Sequence, residues 1–440
     1  MEYRWINLII VVLATIVPFL WLGHRPKKLK YYFIPFLLFI FIYAGFGAGW
    51  DDCLEEYTLM YVLYMLVFGF FCNIFSKNWK QTSIEARQRE NLLLDRRMSK
   101  ATSIIDKYGG KVVSLYIFLA LLKLYLSGKI MNLFSPPQVD LTAFVEEQFN
   151  GEGESLIIVL LNNVMMLLYI FYLIIMYKYR KSISKIALFQ VLPLYIEYAA
   201  NAYVGRGEMM MTAMMIIVPF CVKYPQYKRR IIIGGLVLSP LLIYGMVAYS
   251  YIRLGREMSQ FSMNDITNLL LFQETNYPIH YNDISKWDFD PNLASSYFSW
   301  IFNLPLPGSL KLDPRDFHFN FIFSERLTGL VRGMPGYSVA LPGIVGESVF
   351  IFGKYLFWIH AVILAFFLTT IYKLLKYDFE MYLFIYCSVC LAYTLGRAGS
   401  TTIYPFYLKL LLFYFIVRYF IFNKRNQYAV YKSKSSVLGE

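Results

Sequence analysis

Apolar residues fill this chain in repeated runs of about 20, rather than in alternating or 3.6-residue stripes. A helix of that length crosses ~30 Å of hydrocarbon, where lipid offers no hydrogen-bond partners to an open backbone. The pattern therefore predicts an all-α polytopic membrane protein of about eleven spans. The spans cover residues 6–23, 31–49, 57–76, 111–130, 155–177, 184–203, 209–223, 231–252, 347–372, 380–396 and 403–422.

Composition supports a membrane protein. Hydrophobic residues make up 58% of the 440 and charged residues only 16%, against about 25% charged in an ordinary soluble domain. A net charge of +13 would by itself suit a nucleic-acid binder. The basic residues are concentrated in alternate loops between spans, however, so we expect a lipid bilayer and no nucleic acid as partner.

The distribution of basic residues predicts the orientation. Clusters of Lys and Arg alternate with loops that are acidic or nearly uncharged. The basic clusters lie at Arg25 to Lys30, within 77–111, 178–185, 223–230 and 373–376, and in the tail from Lys424. Because basic loops stay cytoplasmic, the N-terminus is expected outside and the C-terminus in the cytoplasm. The basic stretch 77–110 fits either an amphipathic helix on anionic lipid or a solvated loop.

Three regions follow from this orientation. Residues 1–252 hold spans one to eight, 253–350 form a large loop on the outer side, and 351–440 hold spans nine to eleven with a cytoplasmic tail. The loop is acidic overall, and Ser262 to Gln273 has a helical pattern. A loop of this length without a role is uncommon, so function is expected there.

Arginines at the outer ends of the predicted helices oppose the positive-inside bias. They are Arg206, Arg253, Arg256, Arg326, Arg332 and Arg397. An arginine near hydrocarbon costs free energy that must be compensated. Snorkelling to the interface, a carboxylate such as Glu197 or Glu208, or a polyanionic ligand would each do so. Guanidinium groups bind phosphate oxygens bidentately, so a converging set would suit a lipid diphosphate.

A turn-rich segment leads into span nine, from Arg332 through Pro342 and Gly343 to Glu347. Glu347 is expected in the first turn of that helix, near the outer surface. There it either favours the helix N-terminus electrostatically or acts as a base that orients an acceptor. His280 and His318 are the imidazoles of the outer loop, and each is a weaker candidate for catalysis.

Other known motifs are scarce. The Asp288-Phe-Asp290 spacing occurs in metal–nucleotide sites, but short acidic patterns are common by chance. The sequence holds no P-loop, no His-Glu-x-x-His and no Gly-x-Ser-x-Gly, which argues against an ATPase, a zinc protease and an α/β-hydrolase. We expect no metal site and no cofactor. Trp287, Tyr297 and Trp300 suit either sugar stacking or burial.

These residues resemble a family, the bacterial oligosaccharide repeat-unit polymerases of O-antigen and capsule synthesis (Wzy type). The likeness lies in Gly205-Arg206-Gly207-Glu208 at the start of a span, in Arg332 followed by Gly343, and in Pro342-Gly-Ile-Val-Gly346-Glu347 leading to Phe352-Gly353. The layout of many spans with a large late loop also agrees. The family pattern often has a second Arg-x10-Gly in an earlier loop, which this chain lacks.

The resemblance implies a membrane glycosyltransferase of the bacterial inner membrane with a GT-C-like architecture and a periplasmic active site. It would move a growing glycan from undecaprenyl pyrophosphate onto a new lipid-linked repeat unit, by inverting, metal-independent transfer. Glu347, His318 and Arg332 are then the catalytic candidates. Diphosphate binding is expected from Arg206, Arg253, Arg256, Arg326 and Arg397. A chain-length regulator and a flippase are expected partners.

Three alternatives remain open. An O-antigen ligase has the same need for cations, although His318 lacks the Gly-rich stretch that its family shows. A polysaccharide flippase or transporter would place charges near mid-membrane, where Lys123, Glu197 and Lys409 are the candidates. A glycosyltransferase that uses lipid-monophosphate sugars would place carboxylates in the first outer loop, where Asp51 and Asp52 lie.

Overall fold

The computed structural model of the chain is helical throughout the part that it describes, which contains no strand. The described residues are 2–21, 55–76, 84–135, 156–179, 182–201, 206–253, 276–303, 319–331, 334, 339–375, 380–397 and 400–422. The prediction of an all-α protein is therefore confirmed for these residues. The predicted span 31–49, the predicted helix 262–273 and Asp51-Asp52 lie outside them.

Apolar runs and helices coincide closely. The helices are α1 (Glu2–Trp21), α2 (Glu55–Ser76), α3 (Ile84–Leu126), α4 (Leu156–Ile175), α5 (Ile183–Asn201), α6 (Arg206–Lys223), α7 (Lys228–Arg253), α8 (Pro291–Asn303), α9 (Phe319–Thr328), α10 (Gly343–Leu356), α11 (Trp358–Leu374), α12 (Met381–Arg397) and α13 (Ser400–Phe422). Residues 276–285 are also helical. Each predicted span within the described ranges lies on one of these helices, except span nine, which covers two.

Three stretches are long and apolar enough to cross a membrane, namely Glu55–Ser76, Ile105–Leu126 and Leu160–Tyr179. Shorter apolar helical segments occur at Ile6–Pro18, Trp358–Ile371 and Met381–Cys390. The chain is thus a membrane protein with several apolar helices. With 43 residues, α3 is about 65 Å long and exceeds the ~30 Å hydrocarbon layer. Residues 84–110 belong to this helix, so the loop interpretation of these residues is wrong.

Helix α2 packs against both α1 and α11. Gly69 allows the close approach of α1, because a Cβ atom there would lie 2.9 Å from Pro18. Small residues of this kind let membrane helices pack backbone to backbone. The Tyr61 hydroxyl lies 2.8 Å from Thr15 Oγ1, and both residues are buried. Elsewhere α4 packs on α3 and α13, and α6 packs on α5 and α12.

The predicted single span 347–372 is wrong in one respect, because the chain breaks there into α10 and α11. Gly353 has φ +73° and ψ 171° inside α10, which is a left-handed region that favours glycine. A Cβ atom at this position would also lie 3.1 Å from the Phe289 ring. Gly353 therefore kinks the chain inside α10, four residues before the boundary between α10 and α11 at Phe357, and lets Phe289 pack against it.

The segments 276–285, α8 and α9 pack around α10. Phe319 and Phe323 of α9 contact Phe350 of α10, with ring centroids 5.2 and 5.9 Å apart. Gly343, with φ +68°, begins α10 beneath Tyr277, whose ring would be only 2.8 Å from an added Cβ atom. The described part of the predicted outer loop is thus a packed helical layer, and its aromatic residues belong to the same buried core as the bundle helices.

Candidate functional site: a buried carboxylate beside the Arg397 segment

Glu347 lies at the centre of a buried polar network. It is the fifth residue of α10 and is fully buried, so the expectation of a first-turn position near the surface is wrong. Both of its oxygens accept the backbone N–H of Ser400, at 2.8 and 2.9 Å. The Ser400 hydroxyl donates to Oε1 at 2.8 Å. A buried carboxylate needs such partners, since leaving it unpaired is costly.

Ser400 is the first residue of α13, and this position explains why its N–H binds a carboxylate. The first N–H groups of a helix have no partner within the helix and carry partial positive charge. Glu347 supplies negative charge there from another helix, 53 residues away in sequence. The contact therefore joins α10 to the beginning of α13.

Two aromatic hydroxyls and an imidazole extend the network. Because the Ser400 hydroxyl donates to Glu347, the Tyr297 hydroxyl, 2.8 Å from Ser400 Oγ, must donate to it. His360 Nε2 lies 3.8 Å from Glu347 Oε2, beyond hydrogen-bond distance. The other ring nitrogen, Nδ1, is 2.9 Å from the Tyr64 hydroxyl. The network thus connects α2, α8, α10, α11 and α13 in one fully buried cluster.

The network fixes the segment that carries one candidate arginine. Arg397 ends α12 in Gly396-Arg397-Ala-Gly399, directly before Ser400. Glu347 ends the turn-rich segment that begins at Arg332. Two motifs that sequence analysis selected separately are therefore joined by hydrogen bonds between Glu347 and Ser400. Helix α12 also packs against α6, which begins at Arg206.

The other predicted residues are placed as follows. Arg206 begins α6 and Arg253 ends α7, while the side chains of Arg206, Arg253 and Arg397 lie outside what the structure describes. His318, Arg332 and Arg256 also lie outside the described residues.

Arg326 lies over aromatic rings at the edge of a cavity. Its guanidinium carbon is 4.8 Å from the Trp287 ring centroid and 5.9 Å from that of Phe350, which are cation–π distances. The cavity has a volume of about 250 Å³, and Lys354 and Asp288 also line it. Lys354 Nζ is 2.7 Å from Glu56 Oε1. Two cations therefore line this cavity, one of them already paired.

His280 is the one candidate imidazole of the predicted outer loop whose surroundings the structure describes. Its ring meets the Phe323 ring edge to face at 5.5 Å, and Nδ1 is buried without a hydrogen-bond partner among the described residues. Burial lowers the pKa of His280, and the nearby Asp283 carboxylate partly opposes this shift. The imidazole is therefore held neutral at neutral pH.

The structure also describes Asp290 and the aromatic residues of the predicted outer loop. Asp290 Oδ1 accepts the N–H of Asn292 at 2.9 Å, so Asp290 caps α8 just before Pro291. Among the described residues, no three His, Cys, Asp or Glu side chains are grouped to hold a metal. Tyr297 and Trp300 are buried in the core, as the burial alternative required, whereas Trp287 is half-buried beneath Arg326.

Sequence analysis missed His360, Ser400, Tyr64 and Tyr297 as members of this network. A signal existed for His360, because an ionisable residue within an apolar run is a functional candidate by default. Ser400 directly follows a selected motif, yet nothing in the sequence indicates that its partner is Glu347.

Comparison with protein-family models, with curated proteins and with solved structures finds no match for this chain. What the site does is therefore inferred from its own residues and their chemistry.

Proposed function

We propose that this protein is a membrane glycosyltransferase that polymerises undecaprenyl-pyrophosphate-linked repeat units into O-antigen or capsular polysaccharide. The reaction would take place on the periplasmic side of the bacterial inner membrane, with the N-terminus outside and the C-terminus in the cytoplasm. About eleven spans and a GT-C-like arrangement are part of this proposal.

One observation carries the proposal. The carboxylate of Glu347 holds the N–H and hydroxyl of Ser400, three residues after Arg397. This contact fixes the start of α13, so in the proposal it positions Arg397, at the end of α12, for a ligand. A diphosphate is the ligand that fits such arginines best, since guanidinium groups match phosphate oxygens bidentately.

The proposed reaction requires few other groups from the protein. In the proposed step, the acceptor hydroxyl oxygen bonds to the anomeric carbon of the donor sugar, and the bond from that carbon to the diphosphate oxygen breaks. The hydroxyl proton passes to a base, and the undecaprenyl diphosphate leaves with the electron pair. Most of the rate acceleration comes from cations that neutralise the leaving diphosphate and from groups that orient the acceptor.

This structure shifts the expected role of Glu347. With both oxygens bound by Ser400 and no exposed surface, it acts in the proposal as a positioning residue for the Arg397 segment. His318 remains the candidate acceptor base, and Arg332 remains a catalytic candidate that neutralises the leaving diphosphate. Diphosphate binding is assigned to Arg206, Arg253, Arg256, Arg326 and Arg397.

A transporter or flippase is the second candidate, and one observation favours it. A cavity inside the bundle is lined by Lys123 and Glu197, and charged groups within the membrane often mark a transport path. The two functions differ in where glycan accumulates. Loss of a flippase leaves repeat units on the cytoplasmic face, whereas loss of a polymerase leaves single units on the outer face.

The experiment replaces arginines one at a time in the native host and separates its surface glycans on a gel. Arg206→Ala, Arg332→Ala and Arg397→Ala should each collapse the ladder of long chains to single repeat units, because the leaving diphosphate loses a cation. Arg229→Ala, an exposed arginine near the start of α7, is the matched control and should keep the ladder. Protein levels are compared by immunoblot. Normal ladders from Arg206→Ala and Arg332→Ala would overturn the proposal.

A further inference from the structure

A second cavity lies within the helical bundle, between α3, α4, α5, α6 and α12. Its volume is about 270 Å³. The lining residues on α5 run from Gln190 to Ala200, a rise of about 15 Å along the helix. The cavity is thus an elongated slot that follows one face of α5.

Pro193 lies in the wall of this slot, inside α5. A proline has no N–H, so the carbonyl of Phe189, four residues earlier, loses its helical partner. The Tyr172 hydroxyl of α4 donates to that carbonyl instead. Because lipid cannot satisfy a freed carbonyl, this contact allows a proline within the membrane. The wall of the slot is therefore stabilised by a specific contact from the neighbouring helix.

Polar side chains also line the slot, although the packing of apolar helices does not require them. Gln190 is only 3% exposed, and its Nε2 has no hydrogen-bond partner among the described residues. Lys123, Glu197 and Thr212 also line the slot. Buried polar groups are normally paired, so an unpaired amide at a cavity wall points to a ligand. A lipid tail could not supply the missing partner.

Aromatic rings line the same slot. The ring centroid of Tyr169 lies 5.9 Å from that of Tyr116 and 5.4 Å from that of Tyr386, and all three residues line the cavity. Tyrosine offers an apolar face and a polar tip. The slot thus combines hydrogen-bond donors and acceptors, including one basic and one acidic side chain, with aromatic faces. This combination suits a neutral molecule that has many hydroxyl groups and flat C–H faces. A sugar ring has this chemistry.

Size and position narrow the ligand further. Small-molecule sites usually measure about 300–1,000 Å³, so a slot of 270 Å³ has room for one sugar ring and not for an oligosaccharide. Met211 and Thr212 line the slot on α6, which begins at Arg206. They follow Arg206 by five and six residues, about 8–9 Å along the helix. A sugar joined directly to a diphosphate at the start of α6 would therefore reach the slot.

We propose that this slot binds the sugar ring attached directly to the diphosphate of the lipid-linked substrate, with Gln190 as its buried hydrogen-bonding group. The proposal rests on the proposed function, because it takes the diphosphate to lie near Arg206.

The test measures binding to the purified full chain in lipid nanodiscs by native mass spectrometry. The two probes are undecaprenyl pyrophosphate carrying one N-acetylhexosamine and undecaprenyl pyrophosphate alone. Gln190→Leu should weaken binding of the sugar-bearing probe about tenfold, because the sugar loses a hydrogen bond, and should change binding of the bare diphosphate less than about twofold. Thr212→Val, of nearly equal volume, should act in the same direction.

Gln190→Leu also separates a ligand role from a structural one. Removing an unpaired buried amide should leave the melting temperature unchanged or raise it, while binding of the sugar-bearing probe falls. Asn163→Leu is the matched control, because Asn163 Oδ1 is likewise buried and has no hydrogen-bond partner in the part of the chain that the structure describes. The residue does not line the slot. It should leave binding of both probes unchanged.

Each outcome has a distinct meaning. If Gln190→Leu binds each probe as tightly as the unmodified protein does, the sugar slot is overturned and the proposed function still stands. An equal loss of both probes also overturns it, since the slot would then serve the diphosphate. If the unmodified protein binds neither probe, the proposed function itself fails.

Discussion

At the scale of single residues, Glu347 shows how a membrane protein keeps a charge inside. A carboxylate in an apolar interior is costly unless its oxygens are hydrogen-bonded. Ser400 supplies both a backbone N–H and a hydroxyl, and the start of α13 adds the positive end of a helix dipole. The charge therefore stabilises one defined contact between α10 and α13, next to the Arg397 segment.

Glu347→Gln tests this contact. The glutamine carbonyl oxygen could still accept from Ser400, but its NH2 group would replace Oε2 and face the Ser400 N–H donor to donor, and the bonds would lose their charge. We expect a loss of about 1–3 kcal/mol in the free energy of unfolding. Ser400→Ala keeps the backbone N–H but removes the hydroxyl that donates to Glu347 and accepts from Tyr297, so it should also cost about 1–3 kcal/mol. Thermal unfolding in detergent measures both. Glu55→Gln, at an exposed position on α2, is the control, and equal stability of Glu347→Gln and Glu55→Gln would contradict this account.

His280 gives a prediction about pH. Burial lowers its pKa in the folded protein, whereas the unfolded value is about 6.5. The unfolded state therefore binds the proton more readily, so this contribution to stability is complete above about pH 6.5 and declines as the pH falls.

The measurement is the melting temperature in detergent between about pH 7 and pH 5, a range that spans the unfolded pKa of histidine. The unmodified protein should lose more stability over that range than His280→Gln, which cannot titrate there. A pH dependence that is the same in both proteins would rule out His280 as its source.

At the scale of helices, α5 combines a proline with a partner on α4, and a double-mutant cycle measures their coupling. Tyr172→Phe leaves the Phe189 carbonyl unpaired and should cost about 1 kcal/mol of stability. Pro193→Ala restores an N–H four residues after Phe189, which makes the tyrosine hydroxyl unnecessary. In the Pro193→Ala background, Tyr172→Phe should therefore cost about 0.5–1 kcal/mol less. Additive effects would show that the hydroxyl does not serve that carbonyl.

Much of the helical layout could be predicted from sequence, because a helix that crosses the membrane needs an apolar run of about 20 residues. The break in span nine was not predicted. Hydropathy is averaged over about 20 residues, so it gives no sign that a single residue such as Gly353 adopts a left-handed conformation. Burial of Glu347 could not be predicted, since it depends on Ser400 in a different helix. The extent of α3 was likewise undecided, because residues 84–110 carry charges that suit a loop as well as a helix.

At the scale of the whole molecule, α12 contacts helices of both the buried network and the proposed sugar slot. This helix packs against α10 and α13, which share the Glu347–Ser400 contact, and Tyr386 on it lines the slot. Arg397 stands at its end. In the proposed function, α12 thus connects the groups that hold the diphosphate with those that hold the adjacent sugar.

Reconstitution tests the central claim most directly. The purified protein is placed in proteoliposomes with the undecaprenyl-pyrophosphate-linked repeat unit of its own host, and product length is read by gel and mass spectrometry. The account predicts chains of several repeat units from the unmodified protein and single units from Arg206→Ala and Arg397→Ala, with Arg229→Ala behaving as the unmodified protein. Failure of the well-folded, unmodified protein to join any repeat units, in the presence of its native lipid-linked substrate, would contradict it.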